Sequence, residues 1–253
     1  MADTFQELDG RVAIVTGAGR NIGRAIALAL AGGGSAVLVN ARSNQAEVDA
    51  VVTAIKEAGG EALGCVANVG DPRAVEMMTA RAVERFGRID FLINNAALRR
   101  EKAIEQMSYE DWREIMAVTL DGAFHCVKAC LPQLKRSGNG AIVNVGGLSA
   151  HTGSKHRAHV VAAKAGLVGF TRALAHDLAA DNITVNDVSP GLIGTPRGPD
   201  APEPQHHSIH STLTGLRGTP DDIAGMVRFL CGPGGRYISG QTIHVNGGAY
   251  FGS

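Results

Sequence analysis

Aromatic side chains are scarce in this chain. Seven Phe, three Tyr and a single Trp serve 253 residues, and no tyrosine falls between Tyr109 and Tyr237. Net charge is missing as well: 24 basic and 24 acidic residues balance to +0, and no stretch gathers Lys or Arg. The electrostatic footprint of a nucleic-acid or anionic-lipid binder is therefore absent. Cysteine is limited to Cys65, Cys126, Cys130 and Cys231 with no CxxC spacing. Cys126 and Cys130 stand four apart in a helical pattern, which suits a packed helix face better than a metal pair, and no metal is expected. The opening "MADTFQELDGRVAIVTG" is acidic and polar, and its first apolar run is too short for a signal peptide or a membrane span, so a cytoplasmic location is the default expectation. Internal repeats and low-complexity tracts are lacking.

What is present is a 45% hydrophobic share, ample for a sizeable core. Short β-branched runs alternate with amphipathic segments of helical length, the mark of βαβ units around a parallel sheet. Strands are predicted at "VAIVT" (12–16), "AVLVN" (36–40), "ALGCVANV" (62–69), "IDFLINNAA" (89–97), "GAIVNVGG" (140–147), "ITVNDVSPG" (183–191) and "QTIHVNGG" (241–248). Helices are predicted from about Ile22 to Ala31, over "QAEVDAVVTAIKEAGG", at about 111–136 and at about 157–180. The expected fold is α/β: one domain over 1–253, a doubly wound seven-stranded parallel sheet with helices on both faces. Ligands of such sheets bind beyond the carboxyl ends of the strands. The stretch from 195 to 220, "TPRGPDAPEPQHHSIHSTLTGLRGTP", is too polar and broken to be core and reads as a flap over that crevice.

The first strand runs into "TGAGRNIGRAIALALA". A glycine-rich turn lets backbone approach a pyrophosphate, and the helix N-terminus behind it offers free N–H groups. Such a loop is a weak signal alone; after a strand and before a helix it has the context a dinucleotide site requires. Its residues are Gly17, Arg20, Asn21, Ile22 and Gly23, with Asn21 where a central glycine is commoner. Asparagine tolerates positive φ, so the turn can still form. At the end of strand two, "VNARS" places Ala41 where NAD sites carry an acid, with Arg42 beside it. Arg42 and Arg20 could bracket a 2′-phosphate, which favours NADP(H) over NAD(H). Two solvated surface arginines are the plainer alternative.

Together with "ANV" (67–69), "NNAA" (94–97), "IVNV" (142–145), Lys164, "SPGLIGT" (189–195) and "GQTIHVNGG" (240–248), these features make the chain resemble the short-chain dehydrogenase/reductase family, specifically its 3-oxoacyl-ACP reductase-like members. The resemblance spans essentially the whole chain and implies a Rossmann fold. It implies contacts to the dinucleotide from Asn68, Val69, Asn95, Ala96, Lys164, Pro190, Gly191, Ile193 and Thr195, and a homotetramer built through the long helices. The family's reductases use an Asn, a Ser, a Tyr and a Lys. The Tyr hydroxyl protonates the carbonyl oxygen, Ser steadies it, Lys lowers the Tyr pKa and holds the nicotinamide ribose, and Asn orders a water relay. Counting from Lys164, the Tyr slot holds Val160; the Ser slot of "IVNVGGLSAHTG" holds Gly147; the Asn slot of "IMAVTLDGAF" holds Thr119.

Oxyanion stabilisation and general acid catalysis are each worth orders of magnitude in rate, so carbonyl reduction by the family's usual route is not expected. Three readings follow. In the first, an NADP(H)-dependent oxidoreductase with an atypical site reduces a small carbonyl, imine or related substrate, with Ser149 or His159 as candidate replacement donors. His159 lies about 100° from the required helix face, and His151 and Ser149 can equally line the rim. In the second, the chain binds NADP(H) without turnover, as a regulator or partner. In the third, a lyase or isomerase uses the same scaffold. His206, His207 and His210 lack an acid or thiol at ligand spacing and are not read as a metal site. Arg99 and Arg100 near the pocket mouth could greet an anionic substrate.

Overall fold

A computed structural model describes residues 6–195 and 211–252. Seven strands form one parallel sheet: β1 (Val12–Val15), β2 (Ala36–Ala41), β3 (Ala62–Val66), β4 (Phe91–Asn94), β5 (Ala141–Val145), β6 (Thr184–Pro190) and β7 (Thr242–Val245). They lie side by side in the order β3-β2-β1-β4-β5-β6-β7. The chain thus winds outward from β1 in one direction and from β4 in the other. The reversal between β1 and β4 opens a crevice at their carboxyl ends, the place where α/β sheets bind ligands.

Helices cover both faces: α1 (Asn21–Gly32), α2 (Gln45–Glu57), α3 (Pro72–Phe86), α4 (Tyr109–Met116), α5 (Gly122–Ser137), α6 (Ser149–Thr152), α7 (Ala158–Leu178) and α8 (Pro220–Cys231). One face of the sheet, with Val15, Val39 and Val143, buries Ile26 and Leu30 of α1, Val51 of α2 and Val227 of α8. The other, with Ile14, Leu38 and Leu92, buries Met78 of α3, Cys126 and Cys130 of α5 and Leu178 of α7. All four cysteines are free and buried, so they act as small apolar core residues. The continuous helical run Tyr109–Ser137 has the length and hydropathy of a membrane span, but α5 packs Cys126, Val127, Cys130 and Leu134 into the sheet; it is a core helix.

Local chemistry explains most element ends. Helix α2 begins where Asn44 accepts the Glu47 N–H, and α3 where Asp71 caps ahead of Pro72. Helices α3 and α5 stop at Gly87 and Gly138, both left-handed. A buried Asp90 pins the start of the sheet, accepting from the Val12 N–H at 3.0 Å, Arg11 at 2.9 Å and Arg88 at 2.8 and 2.6 Å. Two differences from the sequence reading matter. The single helix expected at 111–136 is interrupted by a π-turn at Ala117–Asp121, and Thr119 sits inside it. Beyond β5 a short helix, α6, not drawn from the sequence, carries Ser149.

Candidate active site

Glycine and asparagine build the first wall. Gly17 has φ 61° and Asn21 φ 51°, so the asparagine does adopt the left-handed conformation that its side chain tolerates. At Gly23 an added Cβ would lie 2.2 Å from the Gly17 carbonyl oxygen and 2.5 Å from Asn95 Nδ2. No side chain fits there. Asn95 reaches across from the end of β4 and donates to the Thr16 and Gly17 carbonyls, both at 2.9 Å, while Thr16 Oγ1 accepts the N–H groups of Asn95 and Ala96 at 3.0 Å. These bonds lock the loop to the sheet and leave the first turn of α1, which has no side-chain cap and no acid, open to an anion.

Gly17, Arg20, Asn21, Ile22, Gly23, Ala41, Arg42, Asn68, Val69, Asn95, Ala96 and Thr195 all line one cleft of ≈ 550 Å³. Of the other residues assigned to the dinucleotide, Pro190 ends β6, Gly191 donates to the Val245 carbonyl and Ile193 bridges to Gly218; with Lys164 they lie deeper, off that cleft's lining. Arg20 and Arg42 are exposed at its outer end, and Arg42 also approaches Glu114 at 3.4 Å, a surface pair of small energy. The sequence reading overlooked Asn40 and Glu47. Asn40, fully buried, donates to the carbonyls of Cys65 and Ala67 and so ties β2 to the end of β3 at the cleft's edge. Glu47 reaches back from α2 to Gly19, whose added Cβ would be 3.1 Å from its carboxylate. The flap residues 196–210, with His206, His207 and His210, lie outside the described residues; Arg100 pairs with Glu114 on the surface.

The positions read as the family's Ser, Tyr and Asn slots lie just beyond β5 (Gly147), on α7 one turn before Lys164 (Val160) and in the π-turn (Thr119). An added Cβ on Gly147 would meet nothing within 4 Å, so the serine slot is open space. Val160 is 3% exposed and packs with Ile115, Ala163, Leu98 and Met116, making this wall apolar. Thr119 is buried in the π-turn and its hydroxyl has no hydrogen-bond partner. His159 is fully buried, its Nδ1 accepts the Val160 N–H at 3.0 Å, and burial lowers its pKa; its Nε2 meets no polar partner. Ser149 heads α6 and is buried. His151 sits with its ring 4.6 Å from His244 and 5.6 Å from Tyr250, in an aromatic cluster.

Lys164 is buried and donates to the Val145 carbonyl. Burial first, then the charge of Arg99, brings its pKa down to about 7, with Arg157 adding to the fall and Asp187 opposing it. Asp187, in the middle of β6, is the functional candidate that sequence reasoning missed. It is fully buried, neither carboxylate oxygen has a hydrogen-bond partner among the described residues, and burial raises its pKa to about 7 against the pull of Lys164. The available signal was an acid inside the strand "ITVNDVSPG", where a central parallel strand should read apolar.

The family model described as Enoyl-(Acyl carrier protein) reductase matches residues 17–250. The 3-oxoacyl-[acyl-carrier-protein] reductase FabG of Staphylococcus aureus is 38% identical over 94% of this chain and 97% of its own. The 3-oxoacyl-[acyl-carrier-protein] reductase of Synechocystis is 39% identical over 95% and 97%. Among solved structures, a dehydrogenase/reductase from Sinorhizobium meliloti superposes with TM-score 0.91 at 34% identity, covering 98% of both chains. Sheet order, glycine loop, cleft and these likenesses agree: the chain belongs to the short-chain dehydrogenase/reductase family, among its 3-oxoacyl-ACP reductase-like members.

Proposed function

We propose that the protein is an NADP(H)-dependent oxidoreductase that reduces a small carbonyl or related substrate without a Ser/Tyr acid pair. The observation that carries this reading is the asymmetry of the site. Every wall of the dinucleotide cleft is built, down to a loop in which Gly23 admits no side chain, while Gly147 and Val160 bring no hydroxyl to the slots proposed for Ser and Tyr and Thr119 brings a hydroxyl in place of an amide. A bound nicotinamide dinucleotide would supply the hydride. Gly17, Asn21 and Gly23 would let the α1 N-terminus face its pyrophosphate; Arg20 and Arg42 would take a 2′-phosphate; Asn68 and Val69 would meet the adenine; Lys164 would hold the nicotinamide ribose. The Lys164 ammonium, with Arg99 and Arg157 in electrostatic reach, makes the inner site positive. Such a field stabilises negative charge as it develops on a carbonyl oxygen, and it disfavours an already protonated imine. The roomy floor at Gly147 would accept substrate atoms where other members place a hydroxyl.

The working setting proposed is the cytoplasm, and the assembly a homotetramer formed through α5 and α7. Phe124 of α5 is half-exposed and leans on Phe170 of α7 at 6.5 Å between ring centroids, an apolar surface of the kind that copies of a chain cover.

NADPH absorbance is the direct assay. Oxidation with at least one ketone or enone from a panel supports the reading, whereas tight NADPH binding with no oxidation by any panel member would replace it by a binding role. Arg42→Ala should weaken NADPH about tenfold and leave NADH nearly unchanged, the size of one lost charge-assisted contact. Equal losses for both nucleotides would remove the case for a 2′-phosphate.

A further inference from the structure

A buried carboxylate costs several kcal/mol unless something compensates it. Asp187 has no such compensation from hydrogen bonds. Register places it between Asn144 of β5 and Thr242 of β7, all on one row of the sheet with Asn94 of β4. Asn144 is spent elsewhere, accepting from Asn94 at 2.9 Å and donating to Thr171 of α7 at 2.8 Å. Above Asp187 lies Gly146, where an added Cβ would stand 2.5 and 2.6 Å from the two carboxylate oxygens, so the acid occupies the space a side chain there would need. Strand β5 offers it no titratable side chain, and the one on β7 is His244, a pair further along the register and engaged with the His151 and Tyr250 rings. From α7 comes Lys164, buried, whose ammonium donates to the Val145 carbonyl, one residue before the Gly146 that packs on the Asp187 carboxylate; the like charges of Arg99 and Arg157 act on the same lysine. The two do not close into an ion pair within 4 Å among the described residues, yet between buried groups a charge acts well beyond contact.

We propose that Asp187 is a positioning residue of this active site, whose carboxylate beside Gly146 holds Lys164 in its ammonium form against burial and the two arginines. This rests on the reading that Lys164 grips the nucleotide and faces the substrate. The altered slots around it contribute no phenol, so the charge of Lys164 is what the site offers a developing oxyanion. Asp187 sets how far up the pH scale that charge survives. Its burial and the pull of Lys164 are consistent with both groups titrating near neutrality.

The test begins without nucleotide. In protein carrying ¹³C-labelled lysine, the Lys164 Cε resonance, assigned by its loss in Lys164→Met, should titrate about one pH unit lower or more in Asp187→Asn than in the wild type. An unchanged midpoint overturns the proposal. Should Asp187→Asn fail to fold, Lys164→Met gives the reciprocal reading, because coupling between two sites is mutual. The buried carboxyl band in the infrared spectrum should then titrate at higher pH than in the wild type; no movement overturns the proposal equally. NADPH titration separates this idea from the broader one. Asp187→Asn should match the wild type near about pH 5 and bind about fivefold more weakly near about pH 7, where its lysine has lost most of its protons and the wild-type lysine about half. Wild-type protein with no NADPH affinity at all would sink the proposed function while leaving the Lys164–Asp187 coupling to stand or fall on the spectra.

Discussion

One helical turn before Lys164, Val160 occupies the position proposed as the family's tyrosine slot. Its apolar side chain fits because Ile115, Leu98 and Met116 close around it. Restoring the lost groups is the sharpest check on the register of this site. Gly147→Ser meets open space, and Val160→Tyr must displace packed neighbours at a cost of about 1–3 kcal/mol. The double substitution in folded protein should raise ketone reduction by about 10² or more, the range of a general acid, measured as NADPH consumption. No gain would mean that 147 and 160 do not flank the reacting carbon. These positions are proposed from counting along a strand and a helix, which the sequence alone permits. Asp187 was not, since an acid in a strand acquires meaning only when its row neighbours are known.

At the scale of elements, the β1–α1 turn is the most constrained piece. Gly23→Ala puts a carbon 2.2 Å from a carbonyl oxygen of the same loop, so the turn must open. Dinucleotide affinity should fall at least about 100-fold by calorimetry, with circular dichroism unchanged, because a misplaced cradle of this kind costs orders of magnitude. The π-turn at Ala117–Asp121 is the element that sequence patterning could not show. Its extra residue leaves the apolar periodicity of 109–137 nearly intact, yet it turns Thr119 inward beneath the cleft; π-bulges concentrate at functional sites for this reason. Helices α3 and α8 were likewise not drawn from the sequence, although Asp71-Pro72 and Thr219-Pro220 are clear start signals.

The whole molecule closes on itself through contacts between distant segments. Glu7 meets Arg228 of α8 at 2.6 and 2.7 Å, a two-pronged pair that ties the start of the chain to its last helix, and the Arg228 hydrogen bond holds the Glu7 carboxyl below its usual pKa. A lowered folded-state pKa stabilises above the unfolded value of about 4.3, and that contribution is lost as pH falls through the folded one. Glu7→Gln should therefore be about 1 kcal/mol less stable than wild type at neutral pH in urea denaturation, with the gap closing in acid below about pH 4. Asp187 works in the opposite sense: its raised pKa makes stability fall as pH climbs from the unfolded carboxylate range toward about 7. Phe124→Asp should split the proposed assembly into smaller species in light scattering without loss of helix content. An unchanged mass would place the interface elsewhere.

The sequence by itself determined the seven strands and their alternation with helices, the glycine loop and the arginine after β2, and it proposed the departures from the family's catalytic residues at positions 119, 147 and 160. Each of these is written in local spacing, with periods of two or 3.6 residues that need no partner to be read. Only the tertiary structure decided which residues meet across those elements: Asn95 on the Gly17 carbonyl, Asn94 on Asn144, Asp187 under Gly146 and within reach of Lys164. Parallel strands pair through long crossovers, so their register and the neighbours on a row emerge only when the whole sheet is assembled.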